Sequence, residues 1–177
     1  MIAMKGISSE RRTDTTVVVL AVVVLVWVGL LLGVSFLATP VKFLAPSLTL
    51  PVALDVGRQT FRWFSRVELV LAAATLLAAL VHDGRRGLGA ISARGWPLAA
   101  LLSAGLLAAV LLQMLWLLPL LDARVEVILQ GRMPPPSRLH DVYVAIEAMK
   151  LGALVGLGWR AMSVLVGASK RWASGGA

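Results

Sequence analysis

The chain alternates between long apolar runs and short polar breaks. Four runs dominate: about Thr16 to Ala38, Phe61 to Val81, Trp96 to Leu121 and Leu139 to Trp159. Each approaches or exceeds the roughly 20 residues that a helix needs to cross ~30 Å of hydrocarbon. The first exceeds the 7–15 residue apolar core of a cleaved signal peptide, so it reads as a retained anchor. Between the second and third runs lies "GRRGLGAISARG", a Gly-rich turn. Before the fourth lies "QGRMPPPSRLH", in which three prolines stop one helix and Ser137 can cap the next. The segment "TPVKFLAPSLTLPVALDVGRQ" is mostly apolar, yet Pro40, Pro46 and Pro51 oppose a regular long helix. It is expected to lie in the membrane interface. The pattern predicts an all-α integral membrane four-helix bundle with short loops and this interfacial Pro-rich segment between helices one and two. A tail of residues 1–15, a membrane domain of 16–168 and a tail of 169–177 complete the organisation.

Composition strengthens this reading. Hydrophobic residues make up 59% of the 177 and the mean hydropathy is +0.87. A water-soluble fold of this size has no interior large enough for that apolar share. The formal charge is +8, from 17 basic and 9 acidic residues. These basic residues fall in loops and at helix ends, where anionic lipid headgroups are the partner, and nucleic acid is not expected. The absence of cysteine excludes disulfides, thiolate metal sites and iron–sulfur clusters. Trp63, Trp96 and Trp172 sit near helix ends, as an aromatic belt requires. Lys5, Arg11, Arg12, Arg85, Arg86, Arg94, Arg160, Lys170 and Arg171 share one side. Lys42, Arg58, Arg62, Arg66, Arg124, Arg132 and Arg138 share the other. The bias favours both termini in the cytoplasm.

The fourth run opens on "HDVYVAIEAMK", which is unusually polar for a spanning helix. At ~1.5 Å per residue, Glu147 lies ~10 Å below His140. Glu68 lies ~10 Å below Phe61, and Gln113 ~12 Å from Leu121, all measured from the same side. Lys150 is one turn deeper. Glu68, Gln113, His140, Tyr143, Glu147 and Lys150 are therefore expected to form an intramembrane polar cluster in the non-cytoplasmic half. The stripe His140, Tyr143, Glu147, Lys150, Leu154 follows one helical face, which should look into the bundle. Two readings follow. The cluster is a small polar pocket, or Glu147 and Lys150 neutralise each other and lock helix four against helix two. Arg62 and Arg66 are expected to reach for phosphates at the helix entry.

Gly29 and Gly33 form one GxxxG pair, and Gly152 and Gly156 another, which Ala148 extends by a turn. Such small residues let helices approach closely. Helices one and four packing on each other is the plainer use, a homo-oligomer the other.

No P-loop, nucleophile elbow, HExxH or dinucleotide fingerprint occurs. The two histidines, His82 and His140, fall on opposite faces of the bundle and cannot share a haem iron. A site of His140, Glu147 and Glu68 is geometrically loose for a metal. No catalytic residue, metal or cofactor is expected.

"ATPVKF" (Pro40, Val41, Phe43) after the first span, "GRQTFRWF" at the second and "SRLHDVYVAIE" at the fourth resemble the transmembrane protein 205 family and its bacterial relatives. The resemblance runs from about Trp27 to Leu157 in the same order. His140 matches the family's histidine. The family follows it with Gly and carries a small amide one face-turn later, where this chain has Asp141 and Glu147. The resemblance implies a four-span protein, here of a bacterial inner membrane. Animal members are linked to drug resistance and vesicle traffic.

Two functions are carried forward. One is a non-catalytic scaffold or accessory subunit that packs against other membrane proteins or its own copies within the bilayer. The other is a small-solute transporter or efflux helper using Glu68, Glu147 and Lys150.

Overall fold

The computed structural model describes residues 2–84 and 98–174, with side chains for residues 15–82, 98–167 and 169. The expected Gly-rich turn, Trp96, and the side chains of Lys5, Arg11, Arg12, Lys170, Arg171 and Trp172 lie outside the described residues.

Among the described residues every regular element is helical. Helix α1 spans Ile2–Leu31, so the segment read as an N-terminal tail continues the first helix. It runs into a π-helical stretch, Leu32–Ala38, then a three-residue piece, Thr39–Val41, and a 3-10 turn, Lys42–Leu44. Helix α2 spans Leu50–Gly84. Helix α3 (Leu98–Leu112) passes through a second π-helical stretch, Gln113–Leu117, into α4 (Leu118–Leu129). Helix α5 spans Leu139–Ser174.

Four stretches are long and apolar enough to cross a membrane: Thr15–Leu44, Leu50–His82, Leu98–Leu129 and Leu139–Gly167. Between 28% and 39% of the most apolar window in each is buried. The remaining apolar surface faces outward, with Leu115 at 72% and Trp159 at 77% exposure. Exposed apolar area on this scale is foreign to a water-soluble monomer.

Three further boundaries lie beyond the expected ones: the fourth helix runs to Ser174 instead of Trp159, and the other two share one physical reason. The second helix begins at Leu50 instead of Phe61, and the third rod ends at Leu129 instead of Leu121. The added turns are polar and pair across the gap. Arg58 bonds Glu126 at 3.0 Å and Arg62 bonds Asp122 at 2.7 Å. The Pro-rich segment is more helical than expected. Only residues 45–49 separate the helical pieces, because Pro51 sits in the first turn of α2, where a missing N–H costs nothing.

Contacts run antiparallel between neighbours, as in Arg58–Glu126 and Arg62–Asp122 between α2 and α4. The largest apolar core joins α1, α2, α3 and α5 around Val24, Trp27, Leu31, Ala72, Val110, Leu154 and Leu157. A smaller core of Leu117, Leu118, Tyr143 and Ile146 closes the end opposite the chain termini, with Phe61 and Leu139 packed on it. Phe61 meets Tyr143 edge to face at 5.0 Å between ring centres.

Of the two uses expected for the small residues, packing of helices one and four on each other is corrected. A Cβ added at Gly29, Gly33, Gly152 or Gly156 would meet nothing within 4 Å, and Ala148 is exposed. These positions do not join α1 to α5. The close approach is at Gly158, where a Cβ would stand 3.4 Å from Cγ1 of Val24. Gly158→Leu is therefore expected to destabilise by about 1–3 kcal/mol through overpacking. Gly152→Leu should stay within about 0.5 kcal/mol, as an open surface position does. Unfolding of both variants in mixed micelles checks the contrast.

Candidate functional site: a buried charged cluster joining all four rods

The centre of the site is Lys150. Its ammonium reaches Glu68 Oε1 at 2.7 Å, Glu68 Oε2 at 2.8 Å and Glu147 Oε1 at 2.7 Å. The ammonium donates hydrogen bonds to both Glu68 oxygens and is paired by charge with Glu147. All three residues are 1% exposed. Glu147 and Lys150 are one turn apart on α5, while Glu68 comes from α2. The spacing that places two groups on one helical face has here placed both on the face turned inward.

The carboxylates are held by neutral donors as well. Trp27 Nε1 on α1 donates to Glu68 Oε1 at 2.9 Å. Ser35 Oγ donates to Glu147 Oε2 at 2.9 Å, and Gln113 Nε2 to Glu147 Oε1 at 2.9 Å. Every carboxylate oxygen in the trio thus accepts at least one hydrogen bond. The first rod supplies Trp27 and Ser35, α2 supplies Glu68, the third rod supplies Gln113, and α5 supplies Glu147 and Lys150.

Two prolines explain how Ser35 and Gln113 arrive. Each π-helical stretch ends two residues before a proline: Ala38 before Pro40, Leu117 before Pro119. Proline lacks an N–H and its ring crowds the carbonyl four residues back. The helix answers by widening one turn. The Thr39 N–H bonds Val34 O and the Leu118 N–H bonds Gln113 O, each five residues back. The Thr39 hydroxyl also bonds Val34 O at 2.8 Å. The inserted residue turns the helix relative to a regular spacing, and both widened turns carry a side chain that bonds Glu147. Pi-helical turns of this kind occur frequently at functional sites.

Of the expected cluster, Glu68, Gln113, Glu147 and Lys150 come together. Tyr143 lies against Glu147 and, with Phe61, covers the cluster from the end opposite the termini. His140 does not join. It is exposed at the first turn of α5, where its face of the helix has passed beyond the packed bundle. A site of His140, Glu68 and Glu147 is therefore not assembled. Trp27 and Ser35 complete the cluster and were not among the expected residues.

Arg62 and Arg66 also differ from expectation. Arg62 pairs with Asp122, and Arg66 lies over the Trp63 ring at 4.7 Å from its centre. Lys42 sits over Phe43 and Phe61, and its ammonium occupies the space that a Cβ on Gly57 would need. Towards the termini, Thr75 and Ser103 are fully buried but donate to their own helices, to Leu71 O and Ala99 O. The charged cluster has apolar packing on both sides along the bundle axis.

No family model, curated protein or solved structure matches this chain.

Proposed function

We propose that this protein is a non-catalytic integral membrane protein that serves as a scaffold or accessory subunit of a larger membrane assembly. The observation that carries the reading is the buried Lys150 ammonium, hydrogen-bonded to Glu68 and paired with Glu147, whose carboxylates also accept from Trp27, Ser35 and Gln113. The cluster's charges are spent on joining four helices. In lipid, where helices gain little from the hydrophobic effect, polar bonds of this kind and close packing hold a bundle together. The outward stripes of Gly29 and Gly33, and of Gly152, Gly156 and Ala148, then remain for a neighbouring helix. A bacterial inner membrane with both termini cytoplasmic fits the distribution of basic residues. Kinship with the transmembrane protein 205 family belongs to this same proposal and rests on Pro40, Val41, Phe43, the "GRQTFRWF" segment and the opening of α5.

Extraction in a mild detergent, followed by mass measurement of the intact complex, tests it. A stoichiometric complex that persists, and that dissociates in Gly152→Leu or Gly29→Leu, is the expected outcome. A monomer unaffected by either substitution counts against it.

Transport of a small solute is the second reading, favoured by the two π-helical turns that converge on Glu147. It predicts that Glu147→Gln abolishes uptake in proteoliposomes while leaving the melting temperature in place. The scaffold reading predicts a lowered melting temperature.

A further inference from the structure

The charged cluster is unbalanced. Two carboxylates face one ammonium, and all three groups are 1% exposed. The other groups turned toward them are neutral: Trp27 and Ser35 from the first rod, Gln113 from the third, Tyr143 from α5. The nearby cations are engaged elsewhere. Arg62 holds Asp122, Arg66 covers Trp63, and Lys42 lies over the Phe43 and Phe61 rings. With both acids ionised, the cluster would bury one uncompensated negative charge, which low-dielectric surroundings strongly oppose.

A second observation points to what balances it. Gln113 is 2% exposed and its Oε1 accepts no hydrogen bond from the described residues. Its amide is held only through Nε2, which donates to Glu147. Turning the amide over would break that single bond and no bond to Oε1. The group can therefore offer an N–H to a carboxylate or an oxygen to a carboxyl O–H.

We propose that the cluster is a binding site for one proton, shared by the Glu68 and Glu147 carboxylates beside Gln113. Glu68 accepts both hydrogen bonds that the Lys150 ammonium donates. Glu147 Oε1 stands 2.7 Å from the ammonium as an ion pair, and its carboxylate accepts from Ser35 and Gln113. A proton taken from water converts one carboxylate of the pair to a carboxyl, and the trio becomes neutral. The proposal stands independently of the scaffold reading.

Infrared spectroscopy of the full chain in lipid at neutral pH tests it, because a carboxyl C=O absorbs apart from a carboxylate. The expected spectrum has one buried carboxyl band that shifts in deuterium oxide. Charge balance predicts its loss in Glu147→Gln. It also predicts loss in Glu68→Gln, where Lys150 then neutralises an ionised Glu147. Lys150→Met should roughly double it. Gln113→Leu, which removes the amide beside the pair, should shift the band. Absence of the band from the wild-type protein, or its persistence in Glu147→Gln, overturns the proposal.

Discussion

Replacing Lys150 with methionine is expected to destabilise the bundle by about 3–5 kcal/mol, the range for breaking a buried ion pair from one side. Methionine fills similar space, so the loss is electrostatic and not a cavity effect. The substitution removes two charge-assisted hydrogen bonds and an ion pair, and leaves two buried acids that only protonation can neutralise. The neutral combination of Lys150→Met, Glu68→Gln and Glu147→Gln should recover a large part of that stability, because no unpaired charge remains. Reversible unfolding in mixed micelles, read by circular dichroism, gives both values. A single substitution that is tolerated, or a triple variant no better than the single, would show that the charges do not hold the helices.

The second large effect is expected at Trp27. It is completely buried, it lies in the main core, and it donates to Glu68 at 2.9 Å. Trp27→Ala should cost about 3–5 kcal/mol, as large-to-small core changes do. Trp27→Phe separates the two contributions, since it keeps most of the ring volume and deletes the N–H. A hydrogen bond to a charged group is worth about 1.5–3 kcal/mol, so the phenylalanine variant should fall between wild type and alanine. Equal losses in both variants would place the whole effect in the bond to Glu68. No loss in phenylalanine would place it in packing.

The four rods were legible because hydropathy over about 20 residues is a strong signal. Their ends were less so. Apolar content marks where lipid-facing surface stops, not where the backbone leaves the helix. Asp122 and Glu126 look like loop residues in isolation, yet Arg62 and Arg58 on another helix let them stay helical. Such pairing is a tertiary fact that a linear reading does not contain.

The charged cluster was legible through depth. Glu68, Gln113, Glu147 and Lys150 are polar groups at one height on three rods, and a buried charge needs a partner at its own level. The same counting misled at His140. It lies in register with Glu147, but packing fades at the helix entry and the face becomes exposed. Ser35 and Trp27 were missed for different reasons. Trp27 sits inside an apolar run and counts as one more hydrophobic residue unless its N–H is given a destination. Ser35 depends on a widened turn. A signal was present in Pro40, and again in Pro119 for Gln113, because a proline inside an apolar helix demands local repair of the backbone. The glycine pairs show the converse. The motif was easy to find, yet close packing between α1 and α5 falls on Gly158 against Val24.

The central claim is that Glu68 on α2 and Lys150 on α5 bond each other inside the bundle. A double-mutant cycle of Glu68→Gln and Lys150→Met, with unfolding free energies measured in lipid or mixed micelles, tests it directly. The account predicts strong coupling, with the double variant more stable than the summed losses by about 0.5–3 kcal/mol. Losses that add within about 0.3–0.5 kcal/mol would contradict it, because residues that do not touch behave that way.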